Sequence, residues 1–355
     1  MAIQFRLPDI LRSWPWPRAV NPHAEECEKV MAQKTLQFEF FPSKMQDGLC
    51  QAAIHLASLA YPTFSKAQLQ VAVDLMFVFA IFDECSDQMD AASVKIWADI
   101  IMDVLRMPET PRSKDEPMIG RLVQSFWLNA VQNMTRSARK QFIEEFDAYT
   151  RSVTEQAKDR DNLIIRSVES YLEIRRDDLG AKPAFALILM DQDIPENVLN
   201  SGQLHSLRSY TIDMLTLAND VYSYNVEQSK GDNHNIVSII MAQENLDIQQ
   251  ALERVSVMHA NLAAEFLHVY ETVCSESNAE AKQYVDGLGT WIRANECFSF
   301  ESRRYFNKDG LRIQQDRMVE LLPKIGATEH SCYIADSDSH HLTDLTSYGL
   351  PTSRN

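Results

Sequence analysis

Apolar residues recur along most of this chain at intervals of three and four. Ile248, Leu252, Val255, Met258, Leu262, Phe266, Val269 and Val273 hold one long stripe, and Phe142, Phe146, Tyr149 and Val153 hold a second. Both repeat with the period of a helix, and neither alternates as a half-buried strand does. From about residue 23 to 322 such patterns follow one another, broken at "RMPETPRSKDEP", "DQDIPENVLNSG" and "SKGDNHN". These breaks carry turn and cap residues but are too short to link domains. The pattern predicts one large all-α domain over residues 23–325, although the length alone would accommodate two or three domains.

The two ends read differently. "SWPWPRAVNP" carries Pro15, Pro17 and Pro22, which excludes a helix interior. Trp14 and Trp16 argue that this stretch packs on something, so residues 1–22 are expected as a capping segment. Residues 326–355 are rich in Ser, Thr and Asp without a helical period and read as a disordered tail. His340 and His341 lie in that tail, where solvation is favoured over metal binding.

Composition narrows the picture. Only 10 glycines occur in 355 residues, too few for a hairpin-rich fold, which supports helices joined by short loops. The formal net charge of -16, with no basic run, excludes a sequence-independent nucleic-acid binder. It also means that an anionic substrate needs metal ions between itself and the carboxylates. The six cysteines form no CxxC pair and are expected as reduced thiols. "MAIQFRLPDILRSWPWPR" lacks the apolar stretch of a signal peptide, and no apolar run approaches the roughly 20 residues of a membrane span. A soluble cytoplasmic protein without a membrane partner is expected.

Two acidic stretches carry candidate chemistry. In "FVFAIFDECSDQMD", residues 77–90, an apolar run ends in Asp83, Glu84, Asp87 and Asp90. Burying ionised carboxylates costs several kcal/mol per ion unless something compensates them. Asp83 and Asp87 are four apart and share a helical face. A calcium-binding EF-hand loop is excluded by Cys85, Gln88 and the missing turn glycine. A solvated helix end is the plain alternative. In "LANDVYSYNVEQSKGDNHN", Asn219, Ser223 and Glu227 form one polar stripe among Met214, Leu215, Leu217 and Val221. An amide oxygen, a hydroxyl and a carboxylate are hard oxygen donors that suit Mg²⁺. Alone, the stripe is also consistent with a hydrogen-bonded patch on an exposed helix. The conjunction of both stretches is far more specific than either.

DExxD at 83–87 with NDxxSxxxE at 219–227 resembles the class I terpene synthases. "YLEIRRDDLGAKP" at 171–183 resembles that family's diphosphate-sensor arginine and helix break, and "SFESRRYF" at 299–306 its Arg-Tyr pair. "LPDILRSWPWPRAVNPH", "IRRDDLGAKPAFAL" and "WIRANECFSFESRRYF" resemble basidiomycete sesquiterpene synthases, the Δ6-protoilludene synthase group above all. The resemblance runs from about residue 8 to 325.

The resemblance implies a helical bundle around a central cavity. Three Mg²⁺ ions would be held by Asp83 and Asp87 on one side and by Asn219, Ser223 and Glu227 on the other. The substrate would be farnesyl or geranyl diphosphate, with diphosphate released. Arg175 or Arg176, Lys230, and Arg304 with Tyr305 would meet the leaving group. Asp178 would link the sensor to Leu179, whose carbonyl faces the carbocation. Phe77, Phe79, Phe82, Phe185, Trp291 and Phe298 are candidate π walls. About half of them are expected to line the cavity, since most aromatics at helical spacing are core residues.

Cyclisation by closure of the distal double bond onto C1 is expected. Two departures from the family pattern, Cys85 and Asp178, leave early capture as an acyclic alcohol open, linalool or nerolidol. A chain-elongating prenyl diphosphate synthase would carry a second DDxxD where this chain has Asn219, Ser223 and Glu227. A non-catalytic helical scaffold would have no reason for two facing polar stripes. Monomer and homodimer both remain open.

Overall fold

The computed structural model describes residues 3–192, 202–276 and 279–325. Most of "DQDIPENVLNSG" and the expected C-terminal tail, with His340 and His341, lie outside these residues. Thirteen α-helices occur among the described residues. They are α1 (Ala24–Lys34), α2 (Ser43–Ala60), α3 (Lys66–Ser86), α4 (Ala91–Arg106), α5 (Ile119–Asn133), α6 (Arg136–Asp161), α7 (Val168–Asp178), α8 (Ala181–Ile188), α9 (Gly202–Lys230), α10 (Ile236–Glu244), α11 (Ile248–Glu276), α12 (Ala279–Glu301) and α13 (Gly310–Asp316). The one sheet among the described residues pairs β1 (Gln4–Arg6) antiparallel with β2 (Met318–Glu320), Phe5 opposite Val319.

Local chemistry starts and stops these helices. Ser65 and Gln68 close a capping box at the head of α3. Asp90, Thr135 and Ser167 each accept a backbone N–H at the heads of α4, α6 and α7. Helix α7 ends because Gly180 takes φ 73°, the left-handed region open to glycine. Helix α8 restarts at once, with Pro183 in the first turn, where no intrahelical N–H is needed.

The periodic stripes are the buried faces. Phe142, Phe146, Tyr149 and Val153 are all buried on α6. On α11, Leu252, Val255, Phe266 and Val273 are buried while Val257 on another face is exposed.

The proline-rich N-terminus is a packed strap. Arg293 on α12 donates to the carbonyls of Leu11, Trp14 and Trp16, and Arg18 forms a two-pronged pair with Glu301. Trp14 and Trp16 fill the groove between α11 and α12, against Phe266 and Tyr270. The Trp14 indole N–H donates to the Gly289 carbonyl at 2.9 Å. A Cβ at Gly289 would lie 2.3 Å from the Trp16 indole, so this close approach requires glycine. Neither tryptophan lines the cavity described next.

Candidate active site

A cavity of about 270 Å³ opens among α2, α3, α7, α8, α9 and α12. Its chemistry changes along each helix. On α3, Met76, Phe79 and Ala80 line one part, and Asp83 and Asp87 follow one and two turns later. On α9, Leu215 is followed by Asn219, Asp220 and Glu227. Trp291 and Phe298 of α12 line the apolar part, and Arg304 and Tyr305 beyond its end join the polar part. Polar groups from three helices therefore converge at one end of an otherwise apolar space.

The polar end is a connected network. Arg304 donates to Asp83 at 3.0 Å and lies 5.8 Å from the centre of the Tyr305 ring. The Asn219 amide donates to the Tyr305 hydroxyl at 2.8 Å, which leaves its Oδ1 facing Arg175 Nη2 at 3.4 Å. Arg175 also donates to Asp178 at 2.9 Å and lies 3.5 Å from Asp220. Asp220 accepts in addition from the Tyr171 hydroxyl at 2.6 Å and the Ile236 N–H at 2.7 Å. Ser223 is buried beside Glu227. Burial, and then the charges of Asp220 and Asp232, push the Glu227 carboxyl up to about 8.

Arg175 and Arg176 separate cleanly. Adjacent helical residues point about 100° apart. Arg175 lines the cavity, while Arg176 is held by both oxygens of Asp213 at 2.7 and 2.8 Å and does not. Lys230 is exposed at the end of α9, close enough to act on Glu84 of α3 but not on the cavity wall.

Of the six expected aromatics, Phe79, Trp291 and Phe298 line the cavity. Phe77, Phe82 and Phe185 are not on its wall. Phe77 and Phe82 leave α3 on faces other than the Met76–Phe79–Asp83 line, and Phe82 packs against Trp97 and Tyr149. Phe185 stands behind the wall, edge-on to Trp291. Asp178 and Leu179 both line the cavity at the helix break, whereas Cys85 does not.

The sequence reading missed Asp220, Asp232, His234 and Asn295, which also line the cavity. Asp220 stands inside the NDxxSxxxE motif, and Asp232 and His234 in "SKGDNHN", so their motifs held a signal that spacing alone did not resolve.

The donor set fits a hard divalent cation. Among the described residues, no three His, Cys, Asp or Glu side chains converge into a metal cluster of their own. The available set is mixed, an amide oxygen, a hydroxyl and a carboxylate on α9 with Asp83 on α3 and Asp87 at its C-cap. Burial first, and then the neighbouring acids Asp220 and Asp232, raise the Glu227 carboxyl, and a bound cation would offset both costs.

Residues 74–265 match the family model described as terpene synthase family 2, C-terminal metal binding. The chain belongs to the terpene synthase family, as the motifs suggested, and its all-α fold is the class I terpenoid fold. The chain is 46% identical over 328 residues to a Δ6-protoilludene synthase of Cyclocybe aegerita, covering 91% of this chain and 50% of that protein. It thus spans about half the length of that relative. A Δ6-protoilludene synthase of Stereum hirsutum is 41% identical, over 89% of this chain and 88% of the relative. Among solved structures, the linalool/nerolidol synthase from Streptomyces clavuligerus in complex with 2-fluorogeranyl diphosphate superposes with a TM-score of 0.72. That match covers 82% of this chain and 99% of the other at 19% identity, a likeness of fold alone. Among the described residues, no helix is long and apolar enough to cross a membrane.

Proposed function

We propose that this chain, with Mg²⁺, ionises farnesyl diphosphate, releases diphosphate and cyclises the carbocation to a sesquiterpene of the protoilludene kind. The observation that carries the reading is the division of one cavity between a polar end fed by two acidic stripes and an aromatic, aliphatic remainder. The names of the fungal relatives support a C15 cyclase. Residues 23–325 act as one catalytic domain in the cytoplasm, as a monomer or homodimer.

In this reading Asp83, with Asp87, and Asn219, Ser223 and Glu227 hold Mg²⁺, three ions being expected. When bound, Mg²⁺ supplies Lewis-acid stabilisation of the leaving diphosphate. The protein's own part begins with positioned cations. Arg175 and Arg304 already face the polar end, each restrained by carboxylates, and their planar forks match phosphate oxygens. Lys230 adds a third positive charge near the mouth. Tyr305 fixes the Asn219 amide so that its oxygen is free of the hydroxyl. Asp178 couples Arg175 to the helix break, where the Leu179 carbonyl faces the cation. The faces of Phe79, Trp291 and Phe298 stabilise positive charge while keeping water out.

Early water capture, giving linalool from the C10 substrate or nerolidol from C15, stands second. Asp178 is the residue that would favour it, and its Oδ1 is tied to Arg175 at 2.9 Å. Cys85, the other departure, is not on the cavity wall. The test is to incubate the protein with farnesyl and geranyl diphosphates, with Mg²⁺ or with a chelator, and to analyse the volatiles. A cyclic C15 hydrocarbon formed only with Mg²⁺ is expected. A linear alcohol as the dominant product would refute the cyclase reading.

A further inference from the structure

We propose that Asn235 is a positioning residue for the metal site, its amide holding Glu227 and Ser223 in the orientation that ligation requires. The proposal rests on the metal-binding reading above. Asn235 closes the "SKGDNHN" loop and is fully buried. Its Oδ1 accepts the Val237 N–H at 2.8 Å and caps α10. Its Nδ2 donates to Glu227 Oε2 at 2.8 Å and to the Asp220 carbonyl at 2.9 Å, and lies 3.4 Å from Ser223 Oγ. One amide thus touches two of the three residues of the ligand stripe, and the backbone next to the third.

The two halves of this side chain do different work. Oxygen alone suffices to cap α10. Holding a carboxylate needs an N–H donor, and only the Nδ2 end provides one. Apart from Asn235 and the Ser223 hydroxyl, Glu227 faces the acids Asp220 and Asp232, which repel it. The loop has an independent anchor in the next residue, since the Ile236 N–H donates to Asp220 at 2.7 Å. Loss of the Nδ2 donor therefore leaves the carboxylate with the Ser223 hydroxyl alone, and loosens it without freeing the loop. Partners that orient a ligating group typically contribute ten- to a hundredfold in metal affinity.

The experiment measures Mn²⁺ binding to the full chain by electron paramagnetic resonance, with inorganic diphosphate present, at a temperature well below the melting transition. Asn235→Ser keeps a good helix N-cap and loses the donor. It should melt close to the unaltered protein, bind Mn²⁺ at least tenfold more weakly, and need correspondingly more Mg²⁺ for half-maximal turnover. Should Asn235→Ser melt too low to assay, Asn235→Asp keeps size and cap and sets a carboxyl against Glu227, with the same loss expected. Unchanged or tighter binding in the assayed variant, while Glu227→Gln is impaired, overturns the role of Asn235 and leaves the metal site standing. Unchanged binding in Glu227→Gln overturns the metal site and this role together.

Discussion

Gly180→Ala imposes two separable strains on the helix break that borders the cavity. The first is conformational. Gly180 has φ 73°, and an L-residue in that region is disfavoured by about 1–2 kcal/mol. The second is contact, because the new Cβ would meet three ring atoms of Phe79 at 3.3 to 3.4 Å. That ring has little room to retreat, being stacked on Phe146 at 5.7 Å and set edge-on to Tyr149 at 5.0 Å. Such pairs are worth about 0.5–1.5 kcal/mol each, so loosening them adds about 1 kcal/mol. The sum, about 2–3 kcal/mol, lowers the melting temperature of a domain of this size by roughly 3–5 °C. Gly231→Ala is the control: φ is 79°, but nothing lies within 4 Å of the added Cβ. Only the backbone strain applies there, and a fall of roughly 1.5–3 °C follows. Scanning calorimetry of both variants isolates the ring contact as their difference. Phe79 is a cavity wall, so Gly180→Ala also changes the proportions of volatiles made from farnesyl diphosphate. Equal melting points for the two variants, with an unchanged product mixture from Gly180→Ala, would refute this account of the break.

Further outcomes follow from the same site and its surroundings. Glu227→Gln should abolish Mg²⁺-dependent turnover while circular dichroism and melting stay near those of the unaltered protein; near-normal activity sinks the metal assignment. Arg304→Ala should lower kcat by more than about tenfold, as when a partner of transition-state charge is lost. A rise in KM alone would make Arg304 a docking residue. Arg176→Ala, which breaks only the pair with Asp213 outside the cavity, should leave kcat nearly unchanged; a fall matching that of Arg175→Ala would return it to the site. His259 is fully buried with neither ring nitrogen partnered, and burial lowers its pKa to about 4. Its folded pKa lies below the unfolded one, so the unfolded state binds the extra proton. Stability is then lost as pH falls from about 6.5 to about 4, by up to about 3 kcal/mol, and is independent of this group at higher pH. Urea midpoints at several pH values should show that slope, and His259→Leu should flatten it; an unaltered slope in the variant would assign it to other groups.

The long helices were legible because one period governs them. The stripe predicted from Ile248 to Val273 lies within α11, and the Phe142–Val153 stripe is the buried face of α6. The polar stripe of α9 was legible for the same reason, since Asn219, Ser223 and Glu227 are spaced by a helical turn. What a helix faces is not written in its own period. Phe77 and Phe79 are two residues apart on α3, and only packing against neighbours such as α2, α5 and α6 decides which meets the cavity. Arg175 and Arg176 differ because one finds Asp178 and Asp220 and the other Asp213, all supplied by tertiary contacts. Asp220 acts as a hub through Tyr171 and Arg175, which are far from it in sequence. Strands β1 and β2 are three residues each and carry no alternation long enough to read.

The N-terminal strap also has a bearing on the order in which the molecule can be assembled. Trp14 finds its hydrogen-bond acceptor, Gly289, 275 positions later in the chain, and Phe5 waits for Val319. At roughly 5–20 residues per second of synthesis, this segment remains without its seat for roughly 15–60 s. During that interval Trp14, Trp16 and Phe5 are kept from their docking partners, although Trp14 and Phe5 are buried and Trp16 half-buried in the folded chain. The strap is therefore made well before the helices that seat it. A chaperone that holds aromatic segments would meet it before α12 does, and its docking would mark the completion of folding.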